Sequence, residues 1–550
     1  MKVDEAVGRA LVSAGVRRVF GVVGSGNFVA TNAMIAAGAE FVATRHENGA
    51  VVMADGHARM TGEVTVASVH QGPGFTNALT GLVEAWKSRS PVVLLAAAIP
   101  EGMSNSNFYL DQKEVVRALG IRLVHLEEPE DAVKATVEAV RIARRDRTAV
   151  VLNLLNDVQR RDVPDDVVAE LSRAAEAAEP PRAEAADPGG LRLVRDRILS
   201  SSRPVFLVGR GASNLAPRIA DLADRVGALL ATTAPCRGLF ADHEWSIDVS
   251  GGFSSPGTLE LLRGSDLLVA FGAGLNRWTT LDGSLLENPT VVQIDRDPAA
   301  FGRHFPVDLP IEADAGAMVA GLEELLPATA SSTRYRTDAV RHTIGGRVPW
   351  GAQPYADTST DSRIDPRTLT RILNDELPRE RTVAVDGGNF NGYPAMFLDV
   401  RGREGMILPL SFASIGLSIP AAIGAALARP DLLAIAGVGD GGFLMSHVEL
   451  ETAVRLGVNL AVLVYDDAAY GAEVHHFGPH GHPVDTVTFP EVDLAAIARG
   501  YGCTAFTVRT EDDCRSVGAW YREGGRGPVV IDAKITSFAC WVLEHTFTAE

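Results

Sequence analysis

Several doubly wound parallel sheets of the α/β class are predicted for this 550-residue chain by three features of its sequence. Apolar, β-rich runs of roughly five to eight residues alternate with helical patterns of roughly ten to fifteen, the signature of βαβ units. Two polar stretches, 168–190 and 329–362, interrupt that alternation and divide the chain into three series. Finally, TVASVHQGPGFTNALTGLVEAWKSRSPVVLLAA (65–97) and LAIAGVGDGGFLMSHVELETAVRLGVNLAVLVYD (433–466) repeat one pattern of strand, Gly-rich turn, helix, short turn and strand. The expected domains are 1–165, 190–328 and 363–550.

In the first series the strands are expected at Arg17–Val23, Phe41–Thr44, Val64–His70, Pro91–Ala98 and Ala149–Leu155. The stretch 168–190 is rich in Ala, Glu and Pro and nearly free of large apolar side chains, so it reads as a linker. The second series opens at PVFLVGRGA (204–212), with strands near 205–208, 229–232, 267–271 and 291–295, and its GRGAS turn falls short of a full dinucleotide fingerprint. The third runs from about 365 to 535. Two series of one design suggest a cleft lined by both, because α/β sheets bind ligands beyond the carboxyl ends of their strands.

Composition narrows the class of function. Fifty-one basic against 69 acidic residues leave a net charge of −18, which opposes a nucleic-acid partner, since phosphate-backbone affinity comes chiefly from Lys and Arg. The longest apolar run, Val92–Ile99, falls far short of the ~20 residues of a membrane-spanning helix, so no membrane partner is expected. The N-terminal MKVDEAVGRALVSAG lacks the apolar core of a secretory signal, and Cys236, Cys503, Cys514 and Cys540 show no metal or CxxC spacing; both predict a cytoplasmic protein with reduced, mostly buried thiols.

Chemistry is written most clearly in VGDGGF (438–443) and VYDDAAYG (464–471). Asp440 and Asp467 fall at the ends of consecutive strands, beside glycines that let backbone N–H groups approach a phosphate. Two carboxylates in that setting suit a hard cation such as Mg²⁺ bridging protein and diphosphate oxygens. GDGG alone is more often only a turn; its spacing to DDxxYG reverses that preference.

That combination resembles the thiamine-diphosphate motif of the acetolactate synthase, pyruvate decarboxylase and benzoylformate decarboxylase superfamily. RHENGAVVMADGHARMTG (45–62), QGPGFTNALTG (71–81), PVFLVGRGA, VQIDRDP (292–298) and SFASIGLSIPAAIGAALARP (411–430) extend the resemblance over essentially the whole chain. It implies a pyrimidine-binding, a central Rossmann-like and a diphosphate-binding domain, with thiamine diphosphate and Mg²⁺ as cofactors. The metal ligands would be Asp440, Asp467 and the Ala469 carbonyl. Gly388, Asn389, Phe390, Ile415, Gly439, Gly441, Gly442, Tyr470 and Gly471 would contact the coenzyme, with Ile415 as the apolar wedge that bends it. The family usually has Asn-Asn where this chain has Asp466-Asp467, and the added negative charge should weaken cofactor retention unless a nearby donor offsets it.

Glu47, at the start of a helical stretch, reads by itself as an acid favoured by the helix dipole. The resemblance makes it the carboxylic acid that hydrogen-bonds N1′ of the aminopyrimidine, shielded from water so that its pKa is raised and the thiazolium C2 proton can be removed. His70 and Gln71 precede Gly72-Pro73-Gly74 at a strand end. His70 is either a proton shuttle, as in benzoylformate decarboxylases, or a structural histidine. Gln112 stands near a Gln that faces the thiazolium in acetolactate synthases, although a solvent-facing residue at a helix start is the preferred reading. His475, His476, His480 and His482 suggest a loop over the cleft mouth rather than a second metal, and the aromatic tail 537–547 is expected to dock.

The resemblance implies decarboxylation of a pyruvate-like 2-oxo acid donor and ligation to a carbonyl acceptor, by a homodimer or homotetramer in which two subunits share each site. It leaves open a decarboxylase that releases an aldehyde, a catalytically silent cofactor-binding protein, and whether the central domain holds FAD.

Overall fold

A computed structural model describes residues 1–171, 174, 186–328 and 333–546. It contains three six-stranded sheets, every strand pairing parallel. The N-terminal sheet is built from β1 Arg18–Gly21, β2 Glu40–Ala43, β3 Thr65–Val69, β4 Val92–Ala98, β5 Arg122–Leu126 and β6 Val150–Leu155, in the order 2-1-3-4-6-5. The central sheet comprises β7 Pro204–Val208, β8 Leu229–Thr232, β9 Ser246–Val249, β10 Leu267–Phe271, β11 Thr290–Asp295 and β12 Leu309–Glu312. Read from β9 its order is 3-2-1-4-5-6, that of a dinucleotide-binding domain.

The C-terminal sheet comprises β13 Arg381–Val385, β14 Met406–Ile407, β15 Leu433–Gly439, β16 Leu460–Asp466, β17 Thr504–Val508 and β18 Val529–Lys534. Counted from its own first strand it has the same order as the N-terminal sheet, so the sequence echo is a true repeat of topology. The expected strands are present. The strands β5, β9 and β12, which the apolar runs do not mark, are all edge strands, and edges keep the alternating, half-exposed side chains that blur a buried-strand pattern.

The polar stretches differ from simple linkers. Within 168–190, residues 172, 173 and 175–185 lie outside the described residues, and the rest joins helices Asp165–Glu170 and Pro188–Ser200. Within 329–362, residues 329–332 lie outside them too. The remainder of that stretch forms helix Asp338–Arg347 and buries Tyr335, Val340, Val348 and Trp350. All four cysteines are buried and free, and no helix among the described residues is long and apolar enough to cross a membrane.

One packing contact fixes the relative positions of the outer domains. Helix Glu47–Thr61, after β2, lies against helix Ser418–Ala428, which precedes β15, and their side chains merge the two domains into one hydrophobic core. The backbones approach so closely that a methyl group on Gly424 would stand 2.1 Å from the Met53 carbonyl oxygen, and one on Gly56 2.4 Å from that of Ala421. Around this seam Glu449 accepts the Arg45 and His46 N–H groups, the latter at 2.9 Å. Buried Arg59 donates to Asp55, Glu84 and Ser88 of its own domain and to the Leu408 carbonyl across the seam.

Gly424→Val should therefore separate the two helices and lower unfolding stability by about 1–3 kcal/mol, read as a reduced urea midpoint with an unchanged slope.

Candidate functional site

The C-terminal sheet reverses strand order between β13 and β15, and the turns leaving both strands open into a cleft of about 2110 Å³. Every C-terminal residue that the resemblance assigns to coenzyme or metal lines it: Gly388, Asn389, Phe390, Ile415, Gly439, Asp440, Gly441, Gly442, Asp467, Ala469, Tyr470 and Gly471. Asp440, Gly441 and Gly442 form the first turn of helix Asp440–Ser446, where N–H groups have no intrahelical partner. The Tyr470 ring lies over Gly441, so close that a methyl group there would stand 2.4 Å from it.

The Ile415 side chain is half-buried and faces the cleft beside Gly387. Its loop is pinned by Asp386, fully buried at the end of β13, which accepts the Gly416 N–H at 2.7 Å and the Leu417 N–H at 3.3 Å. Burial nevertheless pushes the Asp386 carboxyl up to about 7.

Electrostatics favour a cation between the two aspartates. Burial, reinforced by the charges of Asp466 and Asp467, pushes Asp440 up to about 8. Asp467, also raised by burial, lies at about 6 although Ser537 Oγ donates to it at 3.2 Å. Carboxylates crowded in this way are destabilised as anions until a positive charge joins them, and hard oxygen donors suit Mg²⁺. The donor set and the N–H groups in the first turn of helix Asp440–Ser446, which lack intrahelical partners, thus fit a metal-bound diphosphate.

The tail docks here, as its aromatic composition predicts. Asn389 clamps it, its Nδ2 donating to the Phe538 carbonyl at 2.8 Å and its Oδ1 accepting the Cys540 N–H at 2.9 Å, while Phe547 lies outside the described residues. Nearby, His475 meets Ser537 Oγ at 3.1 Å. Neither His475, His476, His480 and His482 nor any other group of three metal-capable side chains forms a metal-binding cluster among the described residues.

A second corner forms at the matching switch point of the N-terminal sheet, beyond β1 and β3. It gathers Glu47, His70, Gln71 and Gln112. Glu47 begins its helix, and its Oε2 accepts from Asn77 Nδ2 at 3.0 Å. Gly74 separates Glu47 from His70: a methyl group on it would stand 3.4 Å from Glu47 Oε1 and 3.1 Å from His70 Cβ.

His70 Nδ1 accepts the Gly26 N–H at 3.2 Å, so the neutral ring carries its hydrogen on Nε2. Burial lowers the His70 pKa, with the Glu47 charge opposing, and Phe108 packs edge-on against the ring. Gln71 is buried with Oε1 unpaired. Gln112 does start a helix but is not solvent-facing. It is 3% exposed and donates to the Ala97 carbonyl of β4 at 3.1 Å, a contact that turns the side chain inward.

One chain does not bring these corners together. The cleft is lined by Ala58–Gly62 at the far end of helix Glu47–Thr61, about 21 Å from Glu47 at 1.5 Å per residue, and none of Glu47, His70, Gln71 and Gln112 lines it. For the same reason Glu47 is only half-buried, without the shielding expected of it. Exposed apolar side chains surround both corners: Phe28, Val29 and Phe108 on one, Leu444, Met445 and Phe477 on the other. The cleft wall also includes the central switch point, Gly209-Arg210-Gly211 and Gly272-Ala273-Gly274, with Asp295 at the end of β11.

Sequence reasoning missed Asn77, Asp386 and Ser537 as individual contacts. Asn77 lies within the Gly-Pro-Gly motif segment 71–81 and Ser537 opens the tail expected to dock, whereas Asp386 acts through contacts that no local pattern discloses.

Comparison with known proteins is consistent along the chain. Residues 1–115, 191–322 and 386–533 match, in turn, the N-terminal TPP binding, central and C-terminal TPP binding domains of the thiamine pyrophosphate enzymes. A probable acetolactate synthase large subunit of Methanocaldococcus jannaschii is 25% identical over 532 residues, covering 94% of this chain and 89% of its own. Acetolactate synthase of Bacillus subtilis is 25% identical over 544 residues, covering 96% and 92%. Sulfoacetaldehyde acetyltransferase of Alcaligenes xylosoxydans xylosoxydans is 26% identical over 517, covering 86% and 82%.

Raised carboxyl pKa values carry a defined pH dependence. Protonated Asp440 and Asp467 favour the folded state, a contribution complete below about pH 4 and lost as pH rises through about 6 and then about 8. In EDTA the melting temperature should therefore fall over that window at these two sites, while Mg²⁺ should raise it increasingly. Melting curves of wild-type protein and Asp440→Asn with and without Mg²⁺ check this, Asn removing the Asp440 part of the dependence.

Proposed function

From the premise that this chain belongs to the thiamine pyrophosphate enzyme family, we propose that it decarboxylates a pyruvate-like 2-oxo acid and ligates the product to a second carbonyl, at a site shared between two copies. The observation that carries this reading is the pair of corners at equivalent ends of duplicated sheets: a carboxylic acid on one, a cation-seeking carboxylate pair beside a phosphate-accepting turn on the other. Two copies facing each other would close one corner on the other and cover the apolar side chains around both. A homodimer is the smallest such assembly, and a homotetramer repeats it.

When bound, thiamine diphosphate supplies the carbon nucleophile and electron sink that let a 2-oxo acid lose CO₂. Asp440, Asp467 and the Ala469 carbonyl would hold Mg²⁺, and the Gly441, Gly442 and Gly388 backbone would hold the diphosphate. Ile415 would support the coenzyme from below. Glu47, with Oε2 already engaged by Asn77, has Oε1 left to hold the proton at N1′ of the pyrimidine. His70, kept neutral by burial, offers Nε2–H to a substrate oxygen, and Gln71 and Gln112 form the adjoining wall. Closure by a second copy would supply the cover that half-buried Glu47 lacks within one chain.

His70 also supports a second reading, a decarboxylase that releases an aldehyde, because a ring nitrogen at this corner could return a proton to carbon. Sulfoacetaldehyde acetyltransferase among the relatives keeps the acceptor open beyond oxo acids. Mass spectrometry of products from pyruvate alone, and with an added aldehyde or 2-oxo acid, separates the outcomes. A ligated product supports the main reading, and aldehyde alone supports the second.

Glu47→Gln should reduce turnover of the active donor by at least about 100-fold, the usual scale for losing a proton-transfer group, while leaving the melting temperature within about 2 °C because Glu47 is only half-buried. Turnover at the wild-type rate would remove Glu47 from the mechanism.

A further inference from the structure

We propose that Lys534 is a positioning residue for the cation site, the internal counter-ion that allows this chain to carry Asp466 beside the metal ligand Asp467. The inference rests on the functional reading above. Asp466 and Lys534 are register partners at the carboxyl ends of β16 and β18, and each is 1% exposed. Lys534 Nζ donates to Asp466 Oδ2 and, at 2.7 Å, to the Val492 carbonyl. The other oxygen of Asp466 accepts the Ala468 N–H at 3.0 Å. Ala468 holds a left-handed conformation, φ +57°, rare for a residue with a side chain. One carboxylate therefore fastens the turn that presents Asp467 and Ala469, and one ammonium cancels its charge.

A further buried acid, Asp532, shares this ammonium, its otherwise unpartnered Oδ1 lying 3.1 Å from Lys534 Nζ. Its Oδ2 accepts the Leu494 and Ala495 N–H groups, at 3.2 and 3.3 Å, at the start of helix Leu494–Gly500. Among the described contacts, Asp466 has Lys534 as its only cationic partner through the side chain. Without Lys534, Asp466 would add uncompensated negative charge beside Asp440 and Asp467, where a diphosphate has to bind. Replacing Asp466 by Asn would remove that charge and keep an oxygen for the Ala468 N–H.

The test measures thermal stabilisation by thiamine diphosphate at saturating MgCl₂ in wild-type protein, Asp466→Asn, Lys534→Met and the double variant, each also melted without ligand. Lys534→Met should raise the half-saturating thiamine diphosphate concentration by about tenfold or more, whereas Asp466→Asn and the double variant should stay within about threefold of wild type, a coupled cycle. If Lys534→Met does not fold, the double variant compared with Asp466→Asn carries the test. Its recovery of folding and binding supports the inference. Unchanged binding in Lys534→Met, or a double variant that binds weakly or fails to fold, overturns it. Absence of stabilisation in the wild-type protein would overturn the functional reading and this inference with it.

Discussion

The close contact between helix Glu47–Thr61 and helix Ser418–Ala428 governs the molecule. Glycines on both sides let the backbones approach, and the shared core ties the N-terminal sheet to the C-terminal one. A packed interior of this kind is not a hinge. It holds Glu47 at one end of its helix and the diphosphate cleft at the other, so a bound coenzyme within one chain would meet only half of the groups it needs. Dependence on a second copy is, on this account, a consequence of how one chain folds.

Duplication then explains why two unlike half-sites arise in equivalent places. In each outer domain the switch point lies between the first and third strands, where turns splay apart and backbone N–H groups point outward. The N-terminal copy fills that position with an acid, an imidazole and two buried amides. The C-terminal copy fills it with glycines and carboxylates. Its concentration of negative charge has several answers: backbone N–H groups for Asp386, Lys534 for Asp466, a hydroxyl for Asp467, and the expected cation for Asp467 and Asp440 together.

Much of this was legible in the sequence, for definable reasons. The buried strands declare themselves by continuous apolar runs, and the C-terminal site residues lie on short motifs at strand ends, so reading the motifs located the cleft. Edge strands such as Arg122–Leu126 lack that signal. Gln112 is buried by its hydrogen bond to the Ala97 carbonyl of β4, something no spacing records. The apparent weakness of Asp466-Asp467 disappears only when the register of β16 on β18 brings Lys534 opposite, a pairing separated by 68 residues. The substrate is least legible, since the polar groups of the N-terminal corner, Glu47, His70, Gln71 and Gln112, do not line the cleft of the same chain.

Complementation between two defective chains examines the central claim most directly. Co-produced Glu47→Gln and Asp440→Ala chains, each inactive alone, should pair at random, and half of the dimers would then contain one intact composite site of two. The mixture should recover about a quarter of wild-type activity if the assembly is a closed two-fold dimer. A mixture as inactive as its parents, in assemblies shown to contain both chains, would contradict a site shared between copies.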